Sequence, residues 1–250
     1  MDAAPAKKGE RRLIGSVVLP AIAVVILWCV YLLDEAFGLQ LVRYALYPRD
    51  AGGLLGIATA PFLHSHTDNM SHIWNNSVAL LMLGWGLMYF YPRVAGRVVL
   101  LSVLIGGAGV WLTGRASYHL GASGVVYGIA AFLFLSGLLR RQRTLMALSL
   151  LVVFLYGSLI WGILPLVPNL SWESHLWGAF AGVISALIYR SVPPAVHDPE
   201  PVHFEDEEED PTDGPGPVPE PPPVTYHLRA DGRSSSVPVS YPPDRSDTTE

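Results

Sequence analysis

The chain has one cysteine, few charges, and no acidic residue inside its long apolar runs, and each scarcity excludes a class of protein. With Cys29 alone in 250 residues, an intrachain disulfide framework is impossible. Cys29 follows Ile26-Leu27-Trp28, and the bulky Trp28 is unlike the small residues that precede a lipidated cysteine. It reads as a buried, inert thiol. The absence of Asp and Glu from the apolar runs excludes an aspartyl intramembrane protease, which needs paired carboxylates there. No His-Glu-x-x-His occurs, and His64-x-His66 with His72 has only Asp68 as a nearby carboxylate, a poor match to zinc spacing. A transporter more often shows internal repeats or buried charge. No metal, organic cofactor or nucleic-acid partner is expected.

Hydrophobic residues make up 51% of the chain and charged ones 15%, and the mean hydropathy is positive although a polar C-terminal stretch dilutes it. The remainder is therefore more apolar than a soluble domain tolerates. Six segments approach the length that crosses a bilayer, about 13–33, 71–91, 97–114, 123–139, 145–164 and 174–190. The first lacks an Ala-x-Ala-like exit and reads as a retained helix. The long connection at 34–70 is expected to lie along the membrane surface. Gly106-Gly107-Ala108-Gly109 in the third segment suits close helix packing.

If the six segments alternate, Lys7, Lys8, Arg11, Arg12, Arg93, Arg97, Arg140, Arg141, Arg143 and Arg190 share one side, against Arg43, Arg49 and Arg115 on the other. This places both termini in the cytoplasm of a multi-pass plasma-membrane protein. The expected organisation is a cytoplasmic tail over 1–12, a six-helix domain over 13–190, and a disordered cytoplasmic tail over 191–250. From about 195 the composition changes: Glu205-Asp206-Glu207-Glu208-Glu209-Asp210 is followed by a run rich in Pro, Ser and Asp, which buries too little apolar surface to offset its ordering entropy. A solvated tail is the expectation, with a cytoplasmic binding partner as the alternative.

Segments two, four and six enter from the same, non-cytoplasmic side, opened by His72, Ser123 and His175. Polar side chains in a bilayer are costly, and three at one depth mark a functional cavity. Ser123 and Tyr127 are four apart on one helix face, as are His72 and Asn76, while Gly124 and Gly128 form a small-xxx-small pair. His175, Gly178 and Gly182 share a stripe. The pattern points to acyl transfer, with Ser123 as nucleophile and His175 as base in a dyad. Tyr127 is a candidate to pack against the imidazole, and His72, Asn76 and the Ser123 N–H can offer donors to the oxyanion. Glu173 reads as a solvated interface residue; His119 and Arg115 read as polar loop residues near the aqueous mouth.

Three separated blocks carry a family resemblance: Gly121-x-Ser123-Gly124-x-x-x-Gly128, Ser174-His175-x-x-Gly178, and His72-x-x-x-Asn76. Over about residues 12–190 the chain resembles the rhomboid intramembrane serine proteases. The resemblance implies an all-α polytopic membrane protein, a six-helix bundle with a disordered acidic, Pro-rich tail. It implies that Ser123 is the nucleophile, His175 the base, and His72 and Asn76 the oxyanion stabilisers. Single-span membrane proteins in the lipid bilayer would be the substrates, cut by water admitted from the non-cytoplasmic side without a cofactor. A catalytically silent relative that binds membrane clients is the alternative. Three departures lie outside the dyad. Tyr47-Pro48-Arg49 stands where many members carry Trp-Arg, Tyr91-Pro92 replaces an acidic residue, and His64 and His66 occupy a slightly lengthened loop.

Overall fold

A computed structural model describes residues 5–67, 70–157, 159–166, 170–195, 224–230 and 233–239. The chain divides into two units, Met1–Pro199 and Glu200–Glu250. The first unit is helical: α1 (Pro5–Phe37), α2 (Gly56–Thr59), α3 (Ser71–Phe90), α4 (Ala95–Thr113), α5 (Ser123–Arg140), α6 (Arg143–Tyr156), α7 (Leu159–Gly162) and α8 (Trp172–Ile188). Three of these are long and apolar enough to cross a membrane, through Arg11–Phe37, Ala95–Thr113 and Ser123–Arg140.

The centre of the unit is α5, which packs against α3, α4, α6 and α8. Phe132 and Leu133 are fully enclosed there, with Leu87 and Val98 from the neighbouring helices. Glycines set the spacing. A Cβ at Gly178 would collide with the Gly124 carbonyl, and one at Gly182 with the Gly128 carbonyl, so the α5 and α8 backbones touch. Gly106 faces Gly178 from α4, Gly107 faces Ile57, and Gly109 lies under the Trp177 ring. The glycine run therefore packs within an unbroken helix, as its composition suggests.

Two expectations change. The fifth apolar segment is not one helix over 145–164: α6 ends at Tyr156, Gly157 follows, and α7 is a separate turn. Glycine is a weak helix former, so Gly157 is a position where the helix is easily interrupted. Cys29 is exposed on the outer face of α1, not buried. In a bilayer the outer face of a helix is as apolar as its packed face, so hydrophobicity alone does not separate the two.

The connection from α1 to α3 holds short 3-10 turns at Leu41–Tyr44, Gly52–Leu55 and Ala60–Phe62 around α2. Leu46 and His119 exchange backbone hydrogen bonds of 2.8 and 3.1 Å, fastening it to the loop before α5. Arg49 donates from its backbone to Trp111 O at 3.0 Å and from its side chain to Gly114 O at 2.8 Å. The arginine of Tyr47-Pro48-Arg49 thus ties the connection to the end of α4.

In the second unit, β1 (Val224–Ala230) pairs antiparallel with β2 (Arg233–Val239), in register from Val224 opposite Val239 to Ala230 opposite Arg233. The two residues between them in sequence are Asp231 and Gly232, the pair that two-residue hairpins favour. The rest of the acidic, Pro-rich stretch expected to be disordered lies outside the described residues.

Candidate active site

Ser123 is the first residue of α5, so its side chain stands where the loop enters the helix. The chain reaches it through Gly121, whose φ of +108° suits a residue without Cβ, and the Gly121 N–H donates to Ala60 O at 2.9 Å. His175 lies in the first turn of α8. The close α5–α8 packing brings His175 Nε2 to 2.9 Å from Ser123 Oγ, and both residues are buried, 4% and 9% exposed.

The second ring nitrogen of His175 decides the direction of that bond. Nδ1 lies 2.9 Å from the Gly162 carbonyl, which only accepts, so Nδ1 carries the hydrogen. Nε2 is then the acceptor for the Ser123 hydroxyl, the tautomer that a base needs. The sequence shows no carboxylate for this task, and a main-chain carbonyl performs it. The break between α6 and α7 delivers that carbonyl. Local sequence carries no signal for it beyond Gly157 and Gly162. Tyr127 lies parallel to the imidazole, with centroids 4.1 Å apart and planes 6° apart.

The oxyanion candidates converge on the same turn. A Cβ at Gly121 would lie 2.7 Å from His72 Nε2 and 3.3 Å from Asn76 Nδ2, so both side chains border the backbone two residues before Ser123. Asn76 is buried, and its Nδ2 stands 3.0 Å from Nε2 of buried His64. The His64 and His72 rings meet edge to face at 5.1 Å. His66 turns away, to Asp34 at 3.1 Å and Glu35 at 2.8 Å, and meets the Tyr31 ring at a tilt of 32°. Among the described residues, no group of three His, Cys, Asp or Glu side chains is placed to hold a metal ion.

A second serine–histidine contact lies nearby. His119 Nδ1 is 2.6 Å from Ser171 Oγ, which is 2.6 Å from Ser174 Oγ, while His119 Nε2 donates to Arg115 O at 3.1 Å. His119 is 2% exposed, and burial lowers its pKa, so the ring is neutral. Arg115 Nε pairs with Glu173 at 3.2 Å, and its guanidinium also donates to Leu170 O. Glu173 is buried, 3% exposed, and is not the solvated residue its polarity suggests. His119 and Arg115 are likewise not idle loop residues: together with Glu173 and Ser171 they fasten the start of α8 to the loop before α5. Their signal was non-local, two residues from the loop before α5 and two from the start of α8, and spacing does not reveal it.

A buried serine–histidine pair inside an apolar helical scaffold defines a serine hydrolase of the membrane. The rhomboid domain model matches residues 51–192, and the chain belongs to the rhomboid family. It is 35% identical over 188 residues to an uncharacterized protein of Mycobacterium tuberculosis, covering 70% of this chain and 74% of that one. An uncharacterized protein of Mycobacterium bovis matches to the same extent. One of Mycobacterium leprae is 32% identical over 177 residues, covering 65% and 67% of the two chains. The chain is a serine-type endopeptidase that cleaves transmembrane segments of membrane proteins through a serine–histidine dyad.

Proposed function

We propose that Ser123 and His175 are the dyad, with His72, Asn76 and the Ser123 N–H as oxyanion donors and Tyr127 as the support of the imidazole. The observation that carries this is the 2.9 Å contact from Ser123 Oγ to His175 Nε2, with His175 Nδ1 committed to Gly162 O. The His119–Ser171 pair is the rival. His119 Nδ1 holds Ser171 at the start of α8 and its Nε2 holds Arg115 O in its own loop, so both ring nitrogens serve structural contacts.

In the first step the Ser123 proton passes to His175 Nε2 as Oγ bonds to the substrate carbonyl carbon. The carbonyl oxygen becomes an oxyanion facing His72 and Asn76. When the tetrahedral adduct collapses, the C–N bond breaks and Nε2–H gives its proton to the leaving amine. A water then repeats the sequence on the acyl-enzyme and restores Ser123. Each oxyanion donor contributes about 3–4 kcal/mol to such a transition state. The position of Ser123 at the N-terminus of α5 adds a favourable field for the negative charge.

Six spans formed by α1, α3, α4, α5, the α6–α7 pair and α8 complete this reading. Both termini are then cytoplasmic, and the dyad opens to the other side. The protease domain covers 13–190, flanked by tails at 1–12 and 191–250, and single-span proteins are the substrates. Gly121, Gly124, Gly128 and Gly178 bring the backbones close enough for the dyad. The arginine asymmetry supports the orientation.

The test is cleavage of a single-span reporter by purified protein in liposomes, comparing wild type with Ser123→Ala. Product from wild type alone is expected. Product from both would remove Ser123 as nucleophile. Fluorophosphonate labelling confined to Ser123 provides a substrate-independent check.

A further inference from the structure

His64 has no part in the reaction as proposed, yet it is buried among the groups that face the oxyanion. It is 6% exposed, lies in the connection before α3, and points Nε2 at Asn76 Nδ2 across 3.0 Å. An amide nitrogen only donates, so Nε2 must be the acceptor and His64 must be neutral, with its hydrogen on Nδ1. The surroundings agree. Burial, then the nearby His72, holds the His64 pKa at about 3 against the ordinary 6.5.

The consequence falls on Asn76. Its Nδ2 carries two hydrogens. Committing one to His64 fixes the rotation of the carboxamide about its last torsion, which is otherwise broad and roughly two-fold. The fixed end is the donor end, and Nδ2 is the atom that lies 3.3 Å from a Cβ position at Gly121. The second N–H is then held on the Gly121 side, where the oxyanion forms. Without His64 the amide could turn by half a revolution and present its oxygen to a developing negative charge, which repels it. Preorganised donors are effective because they need no reorientation during the reaction.

We propose that His64 is a positioning residue, which locks the Asn76 carboxamide with its N–H toward the oxyanion through a hydrogen bond accepted at Nε2. The inference rests on the assignment of Asn76 as an oxyanion donor. His64 touches neither substrate nor nucleophile and acts through Asn76. The edge-to-face contact of the His64 ring with His72 at 5.1 Å gives it a second hold on the same group of donors.

The test uses the full chain in liposomes with the single-span reporter, together with fluorophosphonate labelling of Ser123. His64→Phe keeps a ring of similar size without the acceptor. It is expected to lower kcat by about tenfold or more, with KM within about twofold, and to slow labelling in proportion. His64→Gln, whose side-chain oxygen can accept from Asn76, is expected to recover most of the loss. Asn76→Ala combined with His64→Phe is expected to be no slower than Asn76→Ala alone, because both remove one device.

Independent, multiplicative losses in the double variant would overturn the proposal, as would a His64→Phe enzyme with wild-type kcat. If His64→Phe does not fold, His64→Leu, which also lacks an acceptor, decides the same question alone and combined with Asn76→Ala. A wild-type rate for Asn76→Ala would instead overturn the oxyanion assignment beneath the proposal. A low rate for Asn76→Ala with an unaffected His64→Phe would overturn this inference alone.

Discussion

The ring of Tyr127 lies 6° from parallel to the imidazole of His175, with centroids 4.1 Å apart, one helical turn after Ser123 on the same helix. The proposed nucleophile and the proposed support of its base thus come from a single turn of α5. Any tilt of that helix moves both together.

Tyr127→Phe retains the stacking ring and is expected to keep kcat within about threefold of wild type. Tyr127→Ala removes a contact worth about 0.5–1.5 kcal/mol and leaves the imidazole free to rotate. Its kcat is expected to fall by about tenfold or more with little change in KM. Steady-state kinetics on the reporter check both variants, and an equal loss in Tyr127→Phe would assign the effect to the hydroxyl.

The two serine–histidine contacts are separable. Ser171→Ala removes the hydroxyl between His119 and Ser174 and is expected to cost about 1–2 kcal/mol of stability while Ser123 still labels with fluorophosphonate. Ser123→Ala is expected to leave the melting temperature nearly unchanged and abolish labelling. Melting curves and labelling run on the same preparations tell the pairs apart; the reverse pattern would make Ser171 the nucleophile.

Gly178→Ala tests the helix contact that brings the dyad together. Its Cβ would press on the Gly124 carbonyl, and the α5 and α8 backbones would have to separate. Overpacking of this kind costs about 1–3 kcal/mol, and widening the 2.9 Å dyad contact should cost activity as well. Thermal unfolding in detergent and reporter cleavage should fall together. Retained activity with lowered stability would mean that the dyad distance tolerates the shift.

Stability should depend on pH through His64. The unfolded imidazole takes up its proton near 6.5 and the folded one only near 3, so between these values the unfolded state holds more protons. The contribution of His64 is fully present above 6.5 and is lost as the pH falls toward 3. Melting temperature should decline with acidification over that window, and His64→Gln should flatten the decline. An identical slope in the variant would place the sensitive group elsewhere.

Much of the candidate site was legible because it is local. Ser123 and Tyr127, His72 and Asn76, and His175 and Gly178 are each joined by helical spacing, and each helix start is marked by a polar residue ahead of an apolar run. What was not legible lies across elements. Glu173 reads as an exposed acid from its position before His175. Only the fold shows Arg115, 58 residues earlier in the chain, closing over it at 3.2 Å. His119 was similarly silent until Ser171 came within reach. In the second unit the local signal of β1 and β2 is Asp231-Gly232 between runs containing Val224, Tyr226, Leu228, Val237 and Val239.

The sequence by itself determined which segments are apolar, where polar residues interrupt them, and which residues share a helix face, because hydrophobicity and helical period depend only on near neighbours. The tertiary structure alone decided which nitrogen of His175 faces Ser123, since that depends on the Gly162 carbonyl brought in by a break in another helix. It also decided the partner of Asn76 and the burial of Glu173. Hydrogen-bond direction and backbone separation depend on contacts between distant parts of the chain, formed only when glycine faces let the helices meet.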